Sequence, residues 1–364
     1  MYEPSNIIMI LEILQKNGGF FFYNPINKRG VVGCKSELPE ELGVTTLNES
    51  EISFFAIPFF SDINKKGEGL WNTMKMGEIT FPYCYSILFS VGTQKKTTPT
   101  YVNVVDDYEK WCDLFDIIMS NIKAREVEKV VASRQVEILF DKDINLASCV
   151  LNLLKNNPQS YVFAYIYGGK AFIGATPEIL VEKCGSRIQS YAVAGTFPKC
   201  ENNEKRGKEL LNDIKNNHEH KIVIEEIVST MRTVTNKVSI GMTELMELKN
   251  LFHLKTSIVA TDGQKNLIEW VRLLHPTPAM GGKPRKKALK LIEKYEQHDR
   301  GLFAAPIGIV EKNGDGIFVV GIRSALIDGN KIYAYAGCGI VEQSDCREEY
   351  EETNTKLRTI LEAL

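Results

Sequence analysis

Glu349, Glu352 and Lys356 stand at i, i+3 and i+7 of a stretch with helical periodicity, so two carboxylates and an ammonium project from one helix face. The same spacing also describes an ordinary surface pair between Glu352 and Lys356. Lys129 shares a strand face with Val127 and Val131. In that company its ammonium either snorkels to the sheet edge or is held where it can give up a proton and act as a base. Glu178 ends Gly174-Ala175-Thr176-Pro177-Glu178, which reads either as a turn opening the next element or as a mount for a general acid. Glu219 has Ile222, Val223 and Glu226 on its helix face, and is either a salt-bridged structural residue or one half of a metal site. Paired with Glu352 it would need a cation between. Hard oxygens without a thiolate or imidazole cluster point to Mg²⁺, with waters or a substrate carboxylate completing the shell. Arg323 lies on a strand face with Val319, Ala325 and Ile327 and needs an anion if buried, a role a bound carboxylate would fill.

The elements that must position these groups follow from the hydrophobic pattern. Residues 5–16 read as a helix, 19–23 (GFFFY) and 52–60 (ISFFAIPFF) as buried strands, and 24–50 as polar and turn-rich. Loops are expected at 65–69 and 92–99, the second as a lobe boundary before a helix-like stretch at 105–124. Residues 127–140 read as the strand of Lys129, 144–156 as a helix, and 160–166 with 170–174 as a hairpin. Strands at 179–183 and 188–193 follow, the latter ending at Ala194-Gly195-Thr196. One long helix is expected over 203–234, a segment of unassigned type at 237–247, and helices at 267–274 and 285–295. The end of the chain reads as a strand at 316–326, its hairpin partner at 331–336, a glycine bend at 336–339 and a helix from about 345. Strands and helices cluster rather than alternate, which favours α+β over a doubly wound sheet.

The 364 residues carry 44% hydrophobic and 25% charged side chains and a net charge of −2. This balance suits a globular protein and favours neither nucleic acid nor an anionic membrane as partner. The longest apolar runs are too short to span a bilayer. The eight cysteines lie far apart without a CxxC pair, and with no signal peptide in view they suggest reduced thiols in a cytoplasmic protein.

Three lookalikes are set aside. His218-Glu219-His220 has its histidines at i and i+2, so it is not HExxH. Gly281-Gly282-Lys283-Pro284 lacks both the first glycine and the Ser/Thr of a P-loop, and Gly337-x-Gly339 lacks the third glycine of a dinucleotide fingerprint. The basic run at 283–294 is the solvated face of an amphipathic helix.

Ten blocks occur in family order. They are Glu128 to Arg134 (EKVVASR), Gly174 to Glu178 (GATPE), Ala194-Gly195-Thr196, His218-Glu219-His220, His253 to Thr256 (HLKT) and His275 to Gly282 (HPTPAMGG). Asp299-Arg300-Gly301, Ile322 to Ala325 (IRSA), Ala336 to Val341 (AGCGIV) and Glu349 to Lys356 (EYEETNTK) complete the set. Together they resemble the chorismate-utilising enzymes, and among them the isochorismate synthases. The resemblance covers residues 127–364 and is weaker over 1–100. It implies one α+β unit of two lobes, with antiparallel sheet packed inside flanking helices, and treats 1–364 as a single domain.

The resemblance also implies roles. Lys129 would be the base that activates water for attack on ring carbon 2 of chorismate, and Glu178 the acid for the departing 4-hydroxyl. Glu219 and Glu352 would hold Mg²⁺, with Glu349 nearby. Arg323, Lys356 and the backbone at Gly337 would hold substrate carboxylates, and Gly195, Thr196 and His253 would line the pocket. Ala279 resembles the small residue of isochorismate synthases where amine-adding relatives and salicylate synthases tend to have Thr. A lysine base at 129 points the same way. Salicylate synthase and a non-catalytic chorismate-binding protein are the rival readings. No glutaminase subunit, nucleic acid or membrane partner is expected, and the chain would be a monomer or homodimer. Met280 and Cys338 depart from the residues expected at their positions.

Overall fold

The computed structural model describes residues 4–42, 44–47, 52–60, 70–71, 73–88, 103–104, 107–199 and 203–364. The loops expected at 65–69 and 92–99, and the lobe boundary placed in the second, lie outside them. Helix α1 (Pro4–Asn17) leads into β1 (Gly19–Asn24), the strand expected over 19–23, and its hairpin partner β2 (Arg29–Cys34) lies inside the stretch read as turn-rich. Next come β3 (Thr45–Leu47), β4 (Ile52–Ala56), β5 (Gly77–Ile79), β6 (Tyr83–Leu88), β7 (Asn103–Val104) and α2 (Tyr108–Lys123). The strand read over 52–60 stops at Ala56, just before Pro58.

Lys129 opens β8 (Lys129–Leu139), followed by α3 (Leu146–Asn156), β9 (Tyr161–Tyr167), β10 (Lys170–Thr176), β11 (Ile179–Cys184) and β12 (Arg187–Pro198). The helix read over 203–234 is two, α4 (Asn203–Asn212) and α5 (Ile214–Arg232). Asp213 breaks it, its side chain accepting from Asn216 N as the N-cap of α5. The undecided stretch at 237–247 is β13 (Val238–Glu247), and β14 (Leu251–Thr261) is a strand that the apolar pattern did not announce. Helix α6 (Leu267–Leu274), β15 (Gly282–Lys283), α7 (Arg285–Tyr295), β16 (Pro306–Glu311), β17 (Gly316–Val320), β18 (Ser324–Asp328), β19 (Lys331–Ile340) and α8 (Cys346–Leu361) complete the chain.

The described strands form two antiparallel sheets. One runs β15-β8-β19-β18-β10-β9-β1-β2-β6-β3, with β7 also on β8, and the other β13-β14-β12-β11-β17-β16-β4-β5. Strands from before and after residue 100 share both sheets, since β1 pairs with β9 and β4 with β16. The core explains why the central strands are apolar on both faces. Along β9, Tyr161, Phe163 and Tyr165 enter the core between the sheets, while Val162, Ala164 and Ile166 meet the helix layer of α1, α3 and α8. Two antiparallel sheets inside flanking helices are the α+β arrangement expected.

Two features of this fold make the site. The stretch at 316–326 is not one strand: β17 lies in the second sheet and β18 in the first, with Gly321-Ile322-Arg323 crossing between. Likewise β10 and β11 belong to different sheets, and Thr176-Pro177-Glu178 spans that crossing. Because β10 pairs with β18 and β11 with β17, the crossings lie side by side. The second feature is β19, which does not bend at 336–339 but stays in register with β8, Gly337 opposite Ser133 and Gly339 opposite Val131. These glycines mark close approach rather than a turn. A Cβ at Gly337 would lie 2.6 Å from the Ala132 carbonyl oxygen, and one at Gly339 2.2 Å from a Glu219 carboxylate oxygen.

Candidate active site

Between the sheets, at these crossings, a cavity enclosing about 690 Å³ including its open mouth is walled by residues from most of the blocks singled out in the sequence. Lys129, Glu178, Glu219, Arg323, Glu352 and Lys356 all reach it, as do Gly195, Thr196, His253, Ala279 and Gly337. Glu349 does not. It lines a neighbouring outer groove, where Lys215 holds it at 2.5 Å.

Lys129 is fully buried at the first position of β8, and its Nζ donates to Glu219 Oε1 at 2.8 Å. It therefore does not snorkel. Glu219 comes from α5, and burial pushes its carboxyl up, but the Lys129 ammonium leads a set of cations that holds it below the usual range. Glu178 has the opposite balance. Burial pushes its carboxyl up to about 8, only partly opposed by Lys129, Lys356 and Arg323. One cavity thus holds an ionised carboxylate beside an amine and a second carboxyl that keeps its proton at neutral pH.

Arg323 is buried at the crossing with φ +51°, a left-handed conformation uncommon for a side chain of its size. It is therefore not on the apolar strand face expected for it. Burial lowers its pKa to about 10 against the pull of Glu352 and Glu178. Its Nη2 lies 3.0 Å from His253 Nε2. Since a guanidinium only donates, Nε2 is the acceptor and the imidazole carries its proton on Nδ1, which lies 3.0 Å from Thr196 Oγ1 and 3.2 Å from the Gly195 carbonyl. Burial first, then Arg323, keep that ring neutral.

Gly195 forms a bulge in β12, where the expected strand end was placed, so the strand continues to Pro198. At φ +75° it needs no side chain, and a Cβ there would meet Asn216 at 3.0 Å. Asn216 Oδ1 accepts from Thr196 N at 2.8 Å. On α8, Lys356 Nζ reaches Glu352 Oε1 at 2.6 Å and the Gly337 carbonyl at 2.8 Å. Burial works against that ammonium, but Glu352 leads the groups that hold its pKa above the usual lysine range.

The sequence matches the family described as chorismate binding enzyme across residues 86–364. The chain belongs to the chorismate-binding enzymes. It is 38% identical over 263 residues to the isochorismate synthase MenF of Bacillus subtilis, covering 71% of this chain and 56% of that protein. The match thus spans little more than half of that relative's length. The isochorismate synthase EntC of Escherichia coli is 30% identical over 367 residues, covering 94% of this chain and 93% of that one. Among solved structures, the menaquinone-specific isochorismate synthase MenF of Escherichia coli superposes with a TM-score of 0.80 at 21% identity, over 96% of this chain and 91% of that one. At that identity the likeness shows the fold alone. No helix among the described residues is long and apolar enough to cross a membrane.

Several residues around this cavity were not assigned a role from their own chemistry. Asn216 sits one helical turn before Glu219, a spacing that could have flagged it. Lys215 fixes Glu349, and Gly339 makes room for both Lys129 and Glu219. His220, beside Glu219, turns to the core and bonds Thr256 Oγ1 at 2.8 Å, with its pKa lowered to about 4 by burial.

Proposed function

We propose that this protein is a Mg²⁺-dependent isochorismate synthase, converting chorismate reversibly into isochorismate. The observation that carries the reading is the pairing of Lys129 with Glu178 across one cavity, an amine held by a carboxylate facing a carboxyl that burial keeps protonated. An amine and an acid so placed suit an exchange of hydroxyls on a ring. Once its own proton has passed to solvent, Lys129 takes a proton from water as the water oxygen bonds to ring carbon 2. The ring double bond shifts, the C4–O bond breaks, and Glu178 gives its proton to the departing 4-hydroxyl. One water enters and one leaves, so the net change is an isomerisation.

The remaining residues bind and orient. Arg323 and Lys356 offer positive charge to the substrate's carboxylates, and the neutral His253 fixes the direction of Arg323. Ala279 lines the same cavity, and its small side chain would leave space over the ring. The donor set fits Mg²⁺, since Glu219 and Glu352 bring hard carboxylate oxygens to the cavity. Two carboxylates suit a cation that keeps waters and takes a substrate oxygen. Glu349, whose carboxyl is raised by burial and then by Glu352, would sit in its outer surroundings. When bound, the metal supplies positive charge that fixes and polarises the substrate's ring carboxylate.

The purified chain should be incubated with chorismate, with and without Mg²⁺ and with added ammonium, and the products separated by chromatography. Isochorismate formed only with Mg²⁺ is the expected result. Salicylate with pyruvate would shift the assignment to salicylate synthase, anthranilate formed only with ammonium would overturn the reading of Lys129 and Ala279, and binding without turnover would leave a chorismate-binding protein.

A further inference from the structure

The wall of the cavity also holds a buried ion pair that the proposed chemistry does not use, with Arg300 among the lining residues. Arg300 Nε and Nη2 donate to the two carboxylate oxygens of Glu296 at 2.9 and 2.6 Å, and both side chains are 1% exposed. The same guanidinium donates from Nη2 to the Val131 carbonyl and from Nη1 to the Met280 carbonyl, each at 2.8 Å. Glu296 Oε1 also accepts from the backbone N–H and the hydroxyl of Ser133, both at 2.9 Å. The ring of Phe59 covers the guanidinium at 4.4 Å.

Val131 and Ser133 follow Lys129 on the same strand face, and Met280 follows Ala279. One planar fork therefore joins the strand of Lys129 to the Ala279–Met280 segment of the cavity wall. Stability alone does not account for it, because a buried ion pair is often no more stabilising than apolar residues of the same volume. What the guanidinium adds is direction: its donors are planar and fixed, and they reach two backbone carbonyls and a carboxylate at once.

The geometry points to Arg300, held by Glu296, as a positioning residue that sets the separation between Lys129 and the Ala279–Met280 wall, and with it the line of attack of water on the ring. This rests on the function proposed above. A misplacement of about 1 Å transmitted through Val131 costs roughly 100-fold in rate while leaving binding contacts in place.

The test compares Arg300→Lys, which keeps the charge and loses the fork, with Glu296→Gln, which keeps the shape and loses the charge. Turnover of chorismate at saturating Mg²⁺, well below Tm, and Tm itself are measured for each. The expected result is a fall in kcat of about 10- to 100-fold with KM nearly unchanged. A lowered Tm with kcat per folded molecule as in the wild type would make the pair merely structural and overturn the proposal. Ser133→Ala keeps the ion pair and removes one hydrogen bond to Glu296. If the other two variants fail to fold it decides alone, a kcat loss of a few-fold supporting the clamp and an unchanged kcat overturning it. A wild-type chain that makes another product overturns the reaction assigned above while the kcat comparison still judges the clamp. One without turnover overturns both.

Discussion

Glu178 and Arg323 stand on the two neighbouring crossings between the sheets, and the crossings are bonded to each other: Val320 N donates to the Glu178 carbonyl at 2.9 Å, and Ala175 N to the Arg323 carbonyl at 3.1 Å. Each side chain therefore projects into the seam rather than from a sheet face, and neither can shift without the other. Replacing Arg323 with Gln removes the cation while keeping a donor for His253. A charge-assisted hydrogen bond to a ligand carboxylate is worth about 1.5–3 kcal/mol, so KM for chorismate should rise roughly 10- to 150-fold, with a smaller change in kcat. Steady-state kinetics checks this, and an unchanged KM would remove Arg323 from substrate binding.

The raised pKa of Glu178 makes both activity and stability depend on pH. As the acid in the reaction it must be protonated, so turnover should fall as pH rises through about 8. Between about 4.5 and about 8 the folded chain holds a proton that the unfolded chain has lost. Its stabilising contribution is thus complete below about 4.5 and is lost as pH rises to about 8. Glu178→Gln mimics the protonated form at every pH. It should lose turnover yet melt higher than the wild type, by a margin that widens from pH 5 to pH 8. A thermal-melt series across that range measures it, and a constant margin would show that Glu178 titrates as an ordinary carboxyl.

Gly339 is the tightest point of the Lys129–Glu219 pair. A Cβ there would lie 2.2 Å from Glu219 Oε1 and 2.5 Å from Lys129 Cε, closer than real contacts allow. Gly339→Ala should therefore push the pair apart, with a loss of activity on the order of 100-fold from displacement of the amine. Gly185→Ala, at an exposed turn with nothing near its Cβ, is the control for handling and is expected to cost only the strain of its φ of +57°. Equal losses in the two variants would show that the packing at Gly339 is not tied to the chemistry.

Local pattern made much of this legible. The strand of Lys129, the hairpin of β9 and β10 and the helix of Glu352 and Lys356 each have one dominant period, and the fold leaves that period intact. The missed features are those for which a residue type has two meanings. Gly337 and Gly339 read as a bend because glycine permits bends, but here they serve close approach to Ala132 and Glu219 across β8. Residues 316–326 read as one strand because both halves are apolar, and only the pairing partners reveal the crossing at Arg323. Glu296 and Arg300 could be seen as an i, i+4 pair, but nothing local says that the pair is buried against Val131 and Met280.

The carboxylates of the proposed metal site differ in what they face, and this separates their roles. Glu219 and Glu352 reach the cavity, each with a lysine on one oxygen, while Glu349 faces the outer groove on Lys215. Mg²⁺ accepts few protein ligands and favours charged oxygens, so either cavity carboxylate is hard to replace by a neutral amide. Titration calorimetry of Mg²⁺ in the presence of a non-reacting ring dicarboxylate should show binding to the wild type that Glu219→Gln and Glu352→Gln abolish at the same concentrations. Glu349→Gln should weaken it by only about 10-fold, as the loss of an outer partner does. Should Glu349→Gln abolish binding while Glu219→Gln leaves it intact, the cation would lie in the outer groove, and Glu219 would be the structural partner of Lys129 alone.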